Sequence, residues 1–195
     1  MGNVDAALRA RIETLLHEGW EIFDRFDRDV RQKGFHPFVA ADYERVLQAL
    51  LPLRAPGLKF LEWGSATGVV TIMADLLGFE AYGIELDPQL VGVARELAER
   101  FDSRAQFAVG SFLPMGYTWR PPGGDARLGT IGYGASAYPT LGHPLEDFDL
   151  VFAYPWDGEA PMMLDLMRAY GNRNARLLVN GDQGVQIYRN GRIVT

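Results

Sequence analysis

The pattern of apolar and polar residues predicts a long amphipathic helix near the start of the chain. Within residues 5–33, apolar side chains recur at helical spacing from Leu8 to Val30. On the opposite face, acids precede bases by four residues, as in the pair Glu21 and Arg25. This arrangement is typical of a helix with one face packed and the other in solvent.

A second helix is predicted over residues 41–51, because Gly34 and Pro37 interrupt the first one. Pro52 and Pro56 then form a short linker. The two helices together make an N-terminal helical extension.

From residue 58 onward, short apolar strands alternate with helices. We predict strands over residues 58–63, 81–86, 105–109, 149–153 and 175–180, with helices over residues 69–77 and 161–170 and a third that starts at Asp87-Pro88. This alternation predicts an α/β fold with a mostly parallel sheet covered by helices on both faces. Asn190-Gly191 predicts a C-terminal antiparallel hairpin.

Residues 113–146 do not follow this alternation. The segment is rich in Gly and Pro, and Tyr117, Trp119, Tyr133 and Tyr138 are interleaved with them. Long loops in compact domains are usually functional or disordered, and the aromatic residues argue against disorder. Two interpretations stay open here, a substrate-side loop and a structural excursion.

Composition and charge narrow the class of protein. At 195 residues, 48% hydrophobic and 23% charged, the chain has the size and composition of one globular domain. The lack of cysteine excludes thiolate chemistry. The net charge of -6 disfavours a broadly basic nucleic-acid surface. With neither a signal-peptide pattern nor a long apolar run, we expect a cytoplasmic protein with no membrane partner.

The strongest chemical signal is a glycine-rich turn between a strand and a helix. It reads Glu62-Trp63-Gly64-Ser65-Ala66-Thr67-Gly68. Glycine lets a backbone approach a ligand closely, and the following helix offers unpaired N–H groups. Glu62 would add a fixed negative charge beside the turn, which suits a cationic ligand.

A second acid ends the next strand. Glu85 stands where a carboxylate can accept both ribose hydroxyls of a nucleoside, and Leu86 could pack on an adenine face. A nicotinamide fingerprint would need glycine where Ala66 and Val69 stand, and the chain lacks a phosphate-loop sequence. A nucleoside ligand with a cationic end is therefore favoured.

With these residues in place, the sequence resembles the class I S-adenosylmethionine-dependent methyltransferases over about residues 58–180. The family's first motif, an acid followed by three alternate glycines, matches Glu62, Gly64 and Gly68, and Ala66 replaces the middle glycine. The resemblance implies a methyltransferase with a Rossmann-like fold and S-adenosyl-L-methionine as its cofactor. It also implies that residues 1–56 form a lid-like extension and residues 57–195 the cofactor-binding domain.

In that family the glycine turn wraps the methionine part of the cofactor, and the acid of the second strand binds the ribose. Phe112, after the third strand, is placed to flank the adenine ring. The cofactor-binding residues that the resemblance implies are Glu62, Trp63, Gly64, Ser65, Gly68, Glu85, Leu86, Ser111 and Phe112.

The residues after the fourth strand bear on the methyl acceptor. Amino-methylating nucleic-acid enzymes of the superfamily carry Asn/Asp-Pro-Pro-aromatic there, whereas this chain has Ala153-Tyr154-Pro155-Trp156. Alanine cannot accept a hydrogen bond from a target amino group. A small-molecule or peptide acceptor is therefore favoured over nucleic acid. The predicted substrate-side residues are Tyr43, Tyr154, Pro155 and Trp156.

The candidate general bases are Tyr154, Asp157 and Glu159, with His36 as a fourth if the lid closes, and no metal is expected. We also expect residues 113–146 and 36–43 to converge over the carboxyl ends of the strands and to wall a pocket. Two alternatives stay open, a non-catalytic S-adenosylmethionine- or nucleoside-binding module and a nicotinamide-dependent oxidoreductase.

Overall fold

The computed structural model describes residues 4–33, 38–119, 134–156 and 158–194. Within these ranges the chain forms a seven-stranded sheet in the order β3-β2-β1-β4-β5-β6-β7. The strands are β1 (Lys59–Trp63), β2 (Glu80–Glu85), β3 (Gln106–Val109), β4 (Leu150–Ala153), β5 (Arg176–Gly181), β6 (Gly184–Arg189) and β7 (Arg192–Ile193).

The first five strands are parallel, and β6 and β7 are antiparallel. The predicted mostly parallel sheet with a C-terminal antiparallel hairpin is therefore confirmed. Asn190 and Gly191 both have positive φ, 51° and 72°, as a two-residue hairpin turn requires. The chain also reverses between β5 and β6, where Gly181 pairs with Gly184, and this reversal was not predicted.

Helices cover both faces of the sheet. They are α1 (Ala6–Phe26, continued by a π-helical turn over Asp27–Arg31), α2 (Tyr43–Leu50), α3 (Val69–Leu76), α4 (Pro88–Arg100), α5 (Tyr138–Leu141) and α6 (Ala160–Tyr170), with short 3-10 turns at Leu51–Leu53 and Leu145–Asp147. Successive side chains of a strand point to opposite faces of the sheet, so the protein has two cores. On the first face Phe60 packs with α1 to α4, and on the second face Leu61 packs with α5 and α6. No helix in the described ranges is long and apolar enough to cross a membrane.

The N-terminal helices share the core of the sheet domain. Ile12 of α1 and Val46 of α2 are buried in the same cluster as α3. At the crossing of α1 and α3, a Cβ on Gly19 would lie 2.8 Å from Val69 Cγ2, so the two backbones are in close contact. Within residues 1–56, predicted as a helical extension, α1 and α2 thus pack into the core with α3.

The end of the Gly- and Pro-rich segment is also core. Ala137, Tyr138 and Leu145 are buried on the second face, so this stretch contributes to the core. Residues 120–133, with Tyr133 among them, lie outside the described residues.

Candidate functional site at the carboxyl edge of the sheet

Three residues with positive φ shape the backbone of the turn between β1 and α3. These are Gly64 at 71°, Ala66 at 44° and Gly68 at 77°. The N–H groups of Gly64 and Ser65 both donate to the carbonyl of Ile84 at 2.9 Å, so the turn is fastened to β2. Ala66 therefore adopts the left-handed conformation of the glycine that it replaces in the motif.

The two glycines of the turn have different surroundings. A Cβ on Gly68 would lie 2.7 Å from the ring of Phe107 and 2.8 Å from Ala94. A Cβ on Gly64 would meet nothing within 4 Å. Gly68 is thus needed for packing against β3 and α4, whereas Gly64 borders open space.

Glu85 connects this turn to the start of α4. Its Oε2 accepts the N–H of Ala66 at 3.0 Å, and its Oε1 accepts the N–H of Asp87 at 2.9 Å. Asp87 in turn caps α4 by accepting the N–H of Gln89 at 2.7 Å. The half-buried carboxylate of Glu85 therefore holds both backbone segments that border the edge of the sheet.

Glu62 lies beneath the turn instead of beside it. It is buried, and its Oε2 accepts both the N–H of Thr71, at 2.9 Å, and the Thr71 hydroxyl proton. The helix cap residue Gly68 has no side chain, so Glu62 takes over the capping of α3. Burial raises the pKa of Glu62 to about 8, which favours the neutral carboxyl over the expected fixed negative charge.

Tyr43, predicted on the substrate side, is buried where α1 and α2 pack together. Only 4% of the residue is exposed. Burial and the neighbouring Glu62 raise the pKa of the hydroxyl. The ring packs on Trp20 of α1 with centroids 5.0 Å apart.

Three predicted cofactor-binding side chains are directed into packed regions. Trp63 is buried on the second face, stacks on Phe112 with centroids 5.1 Å apart and donates its Nε1–H to the Tyr138 hydroxyl at 3.0 Å. One face of the Phe112 ring is therefore covered by Trp63. The buried Ser65 side chain faces β2, because a Cβ on Gly83 would lie 2.8 Å from its Cβ and Oγ. Trp63 and Phe112 thus pack on the second face, and the Ser65 hydroxyl is buried without a hydrogen-bond partner among the described residues. Their predicted part in cofactor binding stays a prediction.

Leu86 and Ser111 lie at the edge where the Gly- and Pro-rich segment returns. Leu86 is exposed, and a Cβ on Gly134 would lie 3.2 Å from its Cδ2. Ser111 is buried, donates its N–H to the Ala135 carbonyl at 2.8 Å and accepts the N–H of Ala137 at 2.9 Å. The start of the returning segment, at Gly134 and Ala135, therefore lies at the carboxyl edge of the sheet, whereas α5 packs on the second face.

Tyr154 and Trp156 follow β4 and are exposed. Glu159 is buried and accepts the N–H of Trp156 at 2.9 Å, so it orders this loop. Burial raises the pKa of Glu159. His36 and Asp157 lie outside the described residues.

Sequence reasoning missed several residues that build the site. Thr71 ties α3 to Glu62, and it carried no signal because it lies three residues beyond the motif. His143, on the second face, contacts Tyr82 at 3.2 Å and Asp147 at 2.9 Å. No group of three or more His, Asp or Glu that could hold a metal occurs in the described part of the chain.

Comparison with known proteins is consistent with this geometry. A crystal structure of an S-adenosylmethionine-dependent methyltransferase from Thiobacillus denitrificans, in complex with S-adenosyl-L-homocysteine, superposes with a TM-score of 0.50 at 17% identity. The similarity covers 81% of this chain and 54% of that one. The chain has the class I methyltransferase fold.

Two ribosomal protein L11 methyltransferases also resemble part of this chain. The Thermus thermophilus protein is 38% identical over 73 residues, which are 36% of this chain and 29% of that protein. The Paraburkholderia xenovorans protein is 31% identical over 84 residues, 43% of this chain and 27% of that one. The chain thus spans less than a third of these relatives. No protein-family model matches the sequence.

Proposed function

We propose that this protein binds S-adenosylmethionine at the turn between β1 and α3 and transfers its methyl group to a small-molecule or peptide acceptor. The observation that carries the proposal is the open space at Gly64 beside the Glu85 carboxylate, at the carboxyl edge of a class I methyltransferase fold. Open α/β sheets bind their ligands at this edge.

The residues at this edge fit the chemical groups of the cofactor. Gly64 would face the methionine part, because its missing side chain leaves room beside the backbone. Glu85 would accept the ribose hydroxyls: an ionised carboxylate has about four acceptor sites, and two backbone N–H groups use only part of them. The exposed Leu86 would cover the adenine.

The bound cofactor would supply a methyl group on a positively charged sulfur. The protein then has to align an acceptor with that methyl group and keep water away. Tyr154 and Trp156 would contact the acceptor, since both are exposed after β4, and the bond from the Trp156 N–H to Glu159 would fix their loop.

The general base is proposed among Tyr154, Asp157 and His36. Glu159 is less suited to accept a proton from substrate, because it is buried and already accepts the N–H of Trp156. We assign it to positioning the loop.

A peptide or small acceptor is proposed for three reasons. The relatives with local sequence similarity are named for methylation of a ribosomal protein. Ala153, at the end of β4, also lacks the polar group that would hold an exocyclic base amine. The net charge of -6 agrees with an acceptor that is not a polyanion.

The test is a comparison of S-adenosylmethionine, S-adenosylhomocysteine and NAD by thermal shift and calorimetry. A ligand at 100 times its dissociation constant stabilises the folded state by about 2.7 kcal/mol, a readily measured shift. Binding of the first two compounds without NAD is expected. A shift with NAD alone would overturn the proposal in favour of an oxidoreductase.

Methyl transfer is then followed as S-adenosylhomocysteine release over a synthetic peptide array and a panel of small amines and phenols. Release that depends on one acceptor class identifies the substrate chemistry. Tight cofactor binding without release over the whole panel would favour the non-catalytic binding module.

A further inference from the structure

We propose that the side-chain amide of Asn180 accepts a hydrogen bond from the α-ammonium group of S-adenosylmethionine. The inference deepens the proposed function and rests on it. It assigns to β5, outside the glycine-rich turn, the recognition of the amino-acid end of the cofactor.

Asn180 carries a buried polar atom for which the protein supplies no partner. Only 4% of the residue is exposed, and no hydrogen bond reaches its Oδ1 from the described part of the chain. Most buried side-chain oxygens in proteins are paired, because an unpaired one loses its hydrogen bonds to water without a replacement. The oxygen is also enclosed by protein, so only a small donor group can reach it. A small N–H group of a bound ligand would satisfy this atom.

The strand register places Asn180 at the edge where the cofactor is proposed to bind. Trp63 of β1 pairs with Ala153 of β4, and Ala153 pairs with Val179 of β5. Gly64 follows Trp63 and Asn180 follows Val179, so two strand spacings, roughly 10 Å, separate their backbones. Gly64 is the residue proposed to face the methionine part. The amino-acid end of the cofactor and the Asn180 side chain can together span this distance.

The side chain of Asn180 is directed to the face of the sheet that α3 covers. Leu177 and Val179 of β5 pack in the second core and Leu178 packs in the first, so alternation places Asn180 on the first face. Its backbone is held in the sheet, because Asn180 pairs with Val185 of β6. A side chain on a paired strand is positioned more precisely than one on a loop. Asn180 is thus a fixed acceptor on the side of the helix that follows the cofactor turn.

Two acidic side chains near this edge are already in use. Glu62 accepts both the N–H and the hydroxyl proton of Thr71, and Glu159 accepts the N–H of Trp156. The α-ammonium group of the cofactor brings three N–H donors to the edge, as the ammonium of lysine would. It is compact, and a hydrogen bond from a charged donor is stronger than one from a neutral donor. The ammonium group therefore matches the enclosed oxygen of Asn180.

The test is a calorimetric titration of Asn180→Leu with S-adenosylhomocysteine and with methylthioadenosine, which lacks the amino-acid end. Leucine has nearly the shape of asparagine without its polar atoms. Loss of a hydrogen bond to a charged group corresponds to roughly a tenfold to hundredfold change in affinity. We expect this loss for S-adenosylhomocysteine and an unchanged affinity for methylthioadenosine. The control is Asn174→Leu, exposed before the amino end of the same strand, which should keep both wild-type affinities.

Stability separates ligand recognition from a structural role of Asn180. Replacing a buried oxygen that has no partner removes no hydrogen bond, so Asn180→Leu should be at least as stable as the wild type in urea unfolding. A less stable variant with unchanged affinity would overturn the inference in favour of a packing role.

The same bond can be removed from the ligand, with Asn180→Ala as the variant in case Asn180→Leu does not fold. An analogue of S-adenosylhomocysteine without the α-amino group should bind the wild type and Asn180→Ala equally well. Both changes remove one shared interaction, so their effects should not add. Additive losses would contradict a bond between the two groups.

The outcomes also separate this inference from the proposed function. If the wild type does not bind S-adenosylhomocysteine, the proposed function is wrong, and this inference falls with it. If the wild type and Asn180→Leu bind that compound equally well, the role of Asn180 alone is overturned. Equal losses for S-adenosylhomocysteine and methylthioadenosine would overturn it too, because the effect would then not come from the amino-acid end.

Discussion

The N–H of Ala66, in the turn after β1, donates at 3.0 Å to Oε2 of Glu85, the last residue of β2. The acid predicted to bind ribose is therefore also a structural part of the glycine turn. Since its other oxygen accepts the N–H of Asp87, a single carboxylate sets the spacing between the turn and α4. Ligand affinity and local stability are consequently linked at Glu85.

Replacing Glu85 by Ala should reduce both properties. The variant loses charge-assisted hydrogen bonds to two backbone N–H groups, and we expect a loss of roughly 1.5–3 kcal/mol in unfolding free energy. The affinity for S-adenosylhomocysteine should fall at least tenfold. Urea unfolding and calorimetry measure the two effects. The control is Glu80→Ala, at the exposed start of the same strand, which should leave the affinity unchanged.

Ala66→Gly should stabilise the protein by about 1 kcal/mol. Ala66 has a φ of 44°, a left-handed conformation that disfavours residues with a Cβ and suits glycine. The bond to Glu85 uses the backbone N–H, so the substitution preserves it. Urea unfolding at neutral pH measures the change. A less stable variant would contradict the assignment of strain to this residue.

Gly64→Ala and Gly68→Ala form a matched pair, because both glycines have φ between 71° and 77°. The alanine at position 64 meets only the conformational cost, about 1 kcal/mol. At position 68 its Cβ would also lie 2.7 Å from Phe107, so several kcal/mol should be lost. Unfolding free energies of both variants test this order. Equal losses would show that the Phe107 ring yields without penalty.

Glu62 should make the stability depend on pH. Its pKa is about 8 in the folded chain against an ordinary value of 4.5, so between these values the folded chain keeps a proton that the unfolded chain releases. Stability from this group is complete below the lower value and is lost as the pH rises through the upper one, by at most roughly 1.4 kcal/mol per pH unit.

Glu62→Gln removes this titration while keeping an acceptor oxygen for Thr71. The unfolding free energy of the variant relative to the wild type should therefore rise between about pH 5 and about pH 8. Urea unfolding at several pH values measures the difference, and Glu80→Gln serves as the exposed control. Parallel profiles of the wild type and Glu62→Gln would contradict the neutral state of the buried carboxyl.

The sequence by itself determined the elements and the location of the site. Apolar runs and helical spacing depend on local geometry, so the five parallel strands and the hairpin at Asn190-Gly191 could be predicted from neighbouring residues alone. The turn from Glu62 to Gly68 was identified for the same reason. Gly64 and Gly68 favour its positive φ values locally, and Ala66 adopts a positive φ as well.

Only the tertiary structure decided which way the side chains of that turn face. Alternation places Glu62 and Trp63 on opposite faces of β1, but it does not say that α3 covers the first and Tyr138 the second. Tyr43 is buried against Trp20 because α1, α2 and α3 pack closely together. These contacts join residues that are far apart in the chain. Their energies depend on how deeply the side chains are buried, which a local sequence pattern does not reveal.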